Sequence, residues 1–473
     1  MSSTSVPATD ESAGGASPPA AGRRTAWAEG LDELRAAATT EPGRLRVIGA
    51  VLALLVVLFG AATAWQVADR AAAADDVVER SQPLTTDAAS IYRSLADADT
   101  TAAAGFLAGA KESRATRERY AADISTASAL LVKAAAHSSG PDGTGAQIAK
   151  LNSGLPRYTG LVETARANNR QGLPLGGAYL RYANEQMRTE LLPAARALYD
   201  AETDRLTADY GAAGARPWHA VAAGVVALGA LGWAQRRHYR RTNRVFNRGL
   251  LAATAASAVV LMWLVAAHTV ARTGLTGSYE HGARSLRVLN EARIDALQAR
   301  GDENLTLVAR GAVLTHGRQD FYEAAFRSRM TDLAGGDGPG AAPAPGAASA
   351  KGRLGAALAL ADDEAGRRPV RAALTGLRQW RARHGEARTA DEKGDYPQAL
   401  AKVIGTDGST GQSFDRVAAG LQQALAHEQA EFRSAADAGR GALDGLVAGA
   451  GVLASAAAVA AVLGIGRRLA EYR

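Results

Sequence analysis

The chain has 473 residues, no cysteine and a formal net charge of +7. Without cysteine there is no disulfide framework, no thiolate metal site and no cysteine nucleophile, so stability must come from packing. The positive charge is not the footprint of a nucleic-acid binder, because it collects in one short loop, where Arg236, Arg237, Arg240, Arg241, Arg244 and Arg248 stand without an acidic residue among them.

Residues 1–24 are rich in Ser, Ala, Gly and Pro and carry no apolar period, which predicts disorder. Trp27, Leu31 and Leu34 follow at helical spacing. They predict a short amphipathic helix that rests on headgroups or docks a cytoplasmic partner. The first apolar stretch, Val47 to Trp65, then opens a span over residues 47–67. It is preceded by Arg44 and Arg46, and Ala62-Thr63-Ala64 imitates a signal-peptide cleavage site. The apolar run is too long for a signal peptide and its leader too extended, so an uncleaved anchor is expected.

Residues 68–216 form the first large polar segment. Leu84, Ala88, Ile91, Leu95, Ala98, Ala102 and Phe106 alternate spacings of four and three, the pattern of a bundle seam. Further helices are expected near 114–136, 148–169 and 175–210, which makes a four-helix bundle, with Pro193 kinking or breaking the last of them. A second span (217–234), the arginine loop (235–248) and a third span (249–271) follow.

The second large segment, residues 272–442, repeats the plan. Helices are expected near 277–315, 319–333, 369–393 and 396–439, the last broken at GTDGSTGQS and carrying a seam of Phe414, Val417, Leu421, Leu425 and Phe432. Gly335 to Gly352 reads as a flexible insertion, and 354–368 as helical without a clear packing partner. YTGLVETARANNRQG (158–172) and WRARHGEARTADEKG (380–394) share an aromatic, an Ala-Arg seven residues on and a Gly six residues later. Each lies between the third and fourth expected helices of its segment, which predicts an internal duplication. The fourth span, 443–466, offers Gly445 and Gly449 for close helix packing, and a tail of residues 467–473 ends the chain.

The expected fold class is therefore an all-α membrane protein: four transmembrane helices and two extracytoplasmic four-helix-bundle-like domains. Each apolar stretch approaches the ~20 residues that cross a ~30 Å hydrocarbon core. Short arginine-rich loops stay in the cytoplasm, which places both termini there as well.

Chemistry is harder to find. The eight histidines are scattered without metal-ligand spacing, and no nucleotide-binding or nucleophile motif occurs, so no enzyme, cofactor or metal is expected. No span carries a central charge, which argues against a transporter. Arg157, Tyr158, Arg166, Tyr179, Arg181 and Tyr182, with Trp380 and Arg388 as partial counterparts, are candidates for a carboxylate pocket or partner contact outside. Asp97, Asp99, Asp302 and Glu303 read as solvated helix faces. Trp27, Leu31, Leu34, Arg236, Arg237, Arg240 and Arg241 are candidates for a cytoplasmic partner contact.

The layout resembles bacterial receptors whose helical ectodomains are framed by paired spans, although the tails are too short for an output domain. Three stretches, ELRAAATTEPGRLRVIG (33–49), ADADTTAAAGFLAG (96–109) and LPLGGAYLRYANEQMRTELLPAARALY (173–199), resemble actinobacterial membrane proteins of the GlnX type. That resemblance implies a signal relay between an amino-acid-binding lipoprotein of the GlnH type outside and a cytosolic Ser/Thr kinase of the PknG type, with homo-oligomerisation an open option. A non-switching membrane scaffold is the alternative expectation, and a transporter component the third.

Overall fold

The computed structural model describes residues 41–137, 143–242, 247–277, 282–335, 352–441 and 445–470. The tail expected to be disordered, the segment of Trp27, Leu31 and Leu34 expected to be an amphipathic helix, and residues 336–351 of the expected insertion lie outside these residues. Among the described residues the chain is helical, with one isolated antiparallel bridge, Leu314 to Asp320. Four helical stretches are long and apolar enough to cross a membrane: Gly43–Lys111, Leu175–Arg240, Arg248–Thr273 and Leu446–Gly466. The protein is an all-α, multi-pass membrane protein.

Helix α1 (Glu41–Asp76) carries the first span and α2 (Gln82–Ala108) the first seam. A π-helical turn, Val77–Ser81, joins them and lets Pro83 enter α2 in its first turn, where its missing N–H costs no helical bond. Pro193 is accommodated in the same way. Helix α5 (Leu175–Gln186) passes through a second π turn, Met187–Leu191, into α6 (Leu192–Ala213), which carries that proline in its first turn. Between α2 and α5 lie α3 (Arg114–His137) and α4 (Thr144–Arg170). Helices α7 (Trp218–Thr242) and α8 (Arg248–Gly277) carry the middle spans.

The second polar segment runs through α9 (Arg284–Ala309), α10 (Phe321–Ala334), α11 (Arg353–Leu360), α12 (Glu364–Glu392), α13 (Tyr396–Ile404) and α14 (Thr410–Gly441), before α15 (Leu446–Ala470) carries the last span. Two boundaries differ from expectation for local reasons. α9 stops at Ala309, short of residue 315, because Arg310 and Gly311 turn to positive φ. α12 starts before Pro369 because the Asp363 carboxylate caps it, accepting from the Gly366 N–H at 2.7 Å.

The chain divides into two compact units. One comprises Met1–Ala61, Ala222–Val260 and Gly451–Arg473. Leu52 and Val56 of α1, Leu231 of α7, Leu250 and Ala253 of α8, and Ala457, Ala461 and Ile465 of α15 form its core. Asn247 donates to the Gly464 carbonyl at 2.8 Å, and Gln235 to the Thr254 hydroxyl at 2.8 Å. The closest helix approach joins Gly249 to Gly464, where a Cβ on Gly249 would stand 2.4 Å from the Gly464 Cα. The expected Gly445–Gly449 face is not this contact. Gly445 sits in the turn before α15, and Gly449 packs under the Trp263 ring.

The other unit comprises Ala62–Val221 and Leu261–Ala450. Within it the two polar segments share one core rather than each closing its own. Ile91 and Leu95 of α2, Leu131 of α3, Tyr158 of α4 and Leu198 of α6 belong to the same buried cluster as Leu289 and Leu297 of α9, Trp380 of α12 and Leu421 of α14. Leu354 of α11 is buried in that cluster too, which gives the 354–368 region its packing partner. The duplicated motif is structurally parallel. Gly172 and Gly394 both take positive φ after α4 and α12, and the following N–H reaches back to Asn168 at 2.9 Å in one case and Ala390 at 3.0 Å in the other.

Replacing Gly249 by valine forces α8 off α15. Overpacking of this kind costs about 1–3 kcal/mol. Purified Gly249→Val protein should melt several degrees below wild type, whereas Gly229→Val, where a Cβ meets nothing within 4 Å, should not.

Candidate functional site

Asp99, Asp302 and Glu303 are not on solvated faces: all three are buried, and Asp97 is half-buried in a bidentate pair with Arg119 at 2.8 and 3.0 Å. A carboxylate held inside a helical core must be hydrogen-bonded, and the donors are the aromatic residues of the duplicated motif. The Tyr158 hydroxyl donates to Asp99 at 3.2 Å, with the Asn184 amide at 2.7 Å on its other oxygen. The Trp380 indole donates to Glu303 at 3.0 Å. Burial pushes the Asp99 carboxyl up to about 6 against those hydrogen bonds, and pushes Asp302 up to about 7 against the charge of Arg329.

Around Glu303 the second segment adds a buried ionic network. Arg300 pairs with Glu303 and donates to the Thr410 hydroxyl at 2.8 Å and the Val403 carbonyl at 3.0 Å. His384 sits between two carboxylates, 2.9 Å from Glu303 and 3.0 Å from Glu323, and stacks on Phe326. Burial pulls the His384 imidazole down, but its bonds to both glutamates outweigh that and hold it up at about 9. It is therefore a cation at neutral pH.

The residues proposed from sequence for an outside pocket do not gather into one. Arg157 is exposed, and Tyr158 is committed to Asp99. Arg166 is buried, paired with Glu163 at 2.7 Å and Glu112 at 3.2 Å, its guanidinium over the Tyr120 ring. Tyr179 and Arg181 are half-buried on α5, and Tyr182 is exposed. Arg388 pairs with Asp391 at 2.8 Å and Glu323 at 3.4 Å, alongside the Trp380 network. Of the cytoplasmic candidates, Arg236 and Arg240 are exposed near the end of α7, Arg237 lies over the Trp233 ring, and Arg241 is in the last turn of the same helix.

A cavity of about 590 Å³ opens elsewhere, between the two segments. Its walls come from each helix that leads to a span: Arg93 of α2, Tyr199 and Thr203 of α6, Asn290 and Arg293 of α9, and Gln422 and Gln429 of α14. Asp97 of α2 and Asp123 of α3 lie in the same lining. Next to it along the same helices lies a compact apolar layer of Ala74, Val77, Leu206, Tyr210 and Phe432, backed by Ala283 and Leu286. Tyr210 and Phe432 meet edge to face, 6.1 Å between centroids. In this neck the four span-linked helices touch one another. Sequence reasoning missed the cavity because Arg93 and Arg293 sit at seam edges, beside Tyr92 and buried Ala292, where their spacing matches that of solvated arginines.

A second cluster, near the start of α12, brings His427 within 3.1 Å of Asp363 and 3.3 Å of Glu431. These three have metal-ligand spacing in space that the sequence hides, but their contacts are accounted for as a partly exposed cap and ion pairs.

Residues 73–211 match the family model of the actinobacterial sensor domain. The match supports a sensor protein. It covers the segment that contributes α2, α6, Arg93 and Asp123 to the cavity and neck. No curated protein and no solved structure matches the chain.

Asp99, Asp302 and His384 set a pH dependence of one sign above pH 6, where Glu303 and Glu323, held below the usual carboxylate range, stay ionised. A histidine raised to about 9 from 6.5 contributes stability that is complete below its unfolded value and lost as pH climbs through about 9. Asp99 and Asp302, raised to about 6 and 7, favour their protonated forms in the fold, so their contribution also falls as pH rises. The melting temperature of the purified protein should decline from pH 6 to pH 9.5. His384→Gln should lower it at pH 6 and flatten the part of the decline above pH 7. A melting profile that rises over this range would contradict the assignment.

Proposed function

We propose that the protein is a transmembrane signal relay: an extracytoplasmic event changes the packing of the neck, and the change passes along the span-linked helices to pieces of the chain read in the cytoplasm. The observation that carries this reading is the convergence of α1, α6, α9 and α14 in one apolar layer beside a cavity that the span-linked helices line. Packed interfaces of this kind have discrete alternative arrangements. Helix shifts of about 1–2 Å move information without moving solute. The only energetic requirement is that a ligand or partner bind one arrangement better than the other.

The sensor-domain match supports the input half of the relay, and the arginine loop supports its orientation, with both termini and residues 235–248 inside. On the GlnX-type resemblance, the outside partner is a solute-binding lipoprotein and the inside partner a cytosolic Ser/Thr kinase. The contact surfaces for the kinase are then the apolar face of Trp27, Leu31 and Leu34 and the loop arginines Arg236, Arg237, Arg240 and Arg241. The Trp27 segment is the better experimental handle, since neutralising the loop would also disturb topology.

Reporter fusions should place Arg240 in the cytoplasm and Ser138 and Gly340 outside; an external Arg240 would overturn the orientation. The Trp27→Ala, Leu31→Ala double variant should insert at normal abundance yet no longer change substrate phosphorylation by the kinase when an external amino acid is supplied. A wild-type response from that variant would remove the N-terminal contact. An unchanged response after deletion of the whole gene would leave a scaffold instead of a relay.

A further inference from the structure

The cavity between the two segments holds a charge imbalance that folding does not explain. Arg93 comes from the first segment and Arg293 from the second, both are half-buried, and both line the cavity. Neither makes a hydrogen bond or ion pair with a described residue. Asp97, which also lines the cavity, is committed to a bidentate pair with Arg119. Desolvating a guanidinium without a partner is costly, and placing two of them beside one another adds repulsion. Elsewhere in the same unit, buried arginines are partnered: Arg300 with Glu303, and Arg166 with Glu112 and Glu163.

The remaining acid does not restore the balance. Asp123 lines the cavity, and one of its carboxylate oxygens is buried without a hydrogen-bond partner. Burial, then the Asp97 charge, push its carboxyl up to about 7, so it is partly neutral at physiological pH and offers an O–H to an incoming acceptor. Burial and the neighbouring Arg93 push the Arg293 guanidinium down to about 10, which leaves it charged. The lining also holds Asp97, paired with Arg119, the exposed Arg284, and Arg287, paired with Glu291, together with neutral hydrogen-bonding groups such as Ser90, Asn290 and Gln422.

We infer that this cavity is the binding site for a small organic acid, whose carboxylate is held by Arg93 from one segment and Arg293 from the other. Guanidinium recognises carboxylate through paired N–H donors, and the cavity volume of about 590 Å³ suits a metabolite-sized solute rather than a peptide chain. A ligand so held neutralises the repulsion between the two segments, and it touches the helices that lead to the spans. The site deepens the relay reading and rests on it for its consequence, though not for its existence.

The test is calorimetric titration of the full-length protein in lipid nanodiscs with succinate, L-aspartate, acetate and inorganic phosphate. Saturable binding of succinate or L-aspartate is expected. Arg93→Gln and Arg293→Gln, each alone, should weaken it at least about tenfold, in line with the loss of a charge-assisted pair. Arg157→Gln, on the exposed face of α4, should leave it unchanged. Because the two arginines are unpaired, Arg293→Gln should melt at or above the wild-type temperature, which separates a binding role from a structural one. No binding by any of the four probes, binding of phosphate alone, or organic-acid binding that survives both substitutions would overturn the site. Failure of the kinase response with binding intact would remove the relay and leave the site standing.

Discussion

The crossing of α2 and α9 is the contact on which the larger unit depends. It is made from small and short polar residues, so the helices come close enough for the Thr100 hydroxyl of α2 to donate to the Leu297 carbonyl of α9 at 2.8 Å. Gly301 faces Thr100 across the same contact, and Asn304 donates back to the Thr100 carbonyl. Larger side chains here would hold the two polar segments apart. With the segments joined, their seams merge into one core, Arg93 and Arg293 reach the same cavity, and the four span-linked helices meet in the neck.

The duplicated motif anchors each end of this arrangement in a similar way. An aromatic residue on α4 in one segment and on α12 in the other is wholly buried and donates to an acid on the first helix of its segment, Tyr158 to Asp99 and Trp380 to Glu303. The two halves then diverge. Asp99 has neutral partners, whereas Glu303 is embedded among Arg300, His384 and Trp380, so the second half carries the ionic network. The asymmetry gives the halves different responses to pH. The unpaired charges stand apart from both networks, in the cavity.

Much of this architecture was legible in the chain. The spans followed from apolar length and the seam of Leu84 to Ala102 from its period. The misreadings have a common cause. Helical periodicity identifies the apolar face but not what lies beyond its edge, so Asp99, Asp302 and Glu303 read as solvent-facing when they sit inside a second layer of packing. For the same reason the two segments read as separate bundles: each has a seam of its own, and only the small residues around Thr100 and Gly301 reveal that a second partner lies against it. Arg93 and Arg293 are separated by most of the first segment, two spans and the arginine loop, so no local spacing brings them together.

Occupancy of the cavity is expected to change the packing of the neck. The chain lacks cysteine, so spin labels can be placed without removing any native residue of that type. Labels at Asp204→Cys on α6 and Arg433→Cys on α14, both exposed and both on helices that lead to spans, report the neck directly. Pulsed electron-electron resonance on the full-length protein in nanodiscs should show the inter-label distance distribution shift by about 1–2 Å when succinate or L-aspartate saturates the protein, and the shift should vanish in Arg293→Gln. Identical distributions with and without saturating ligand, in a sample whose binding isotherm is complete, would contradict the account.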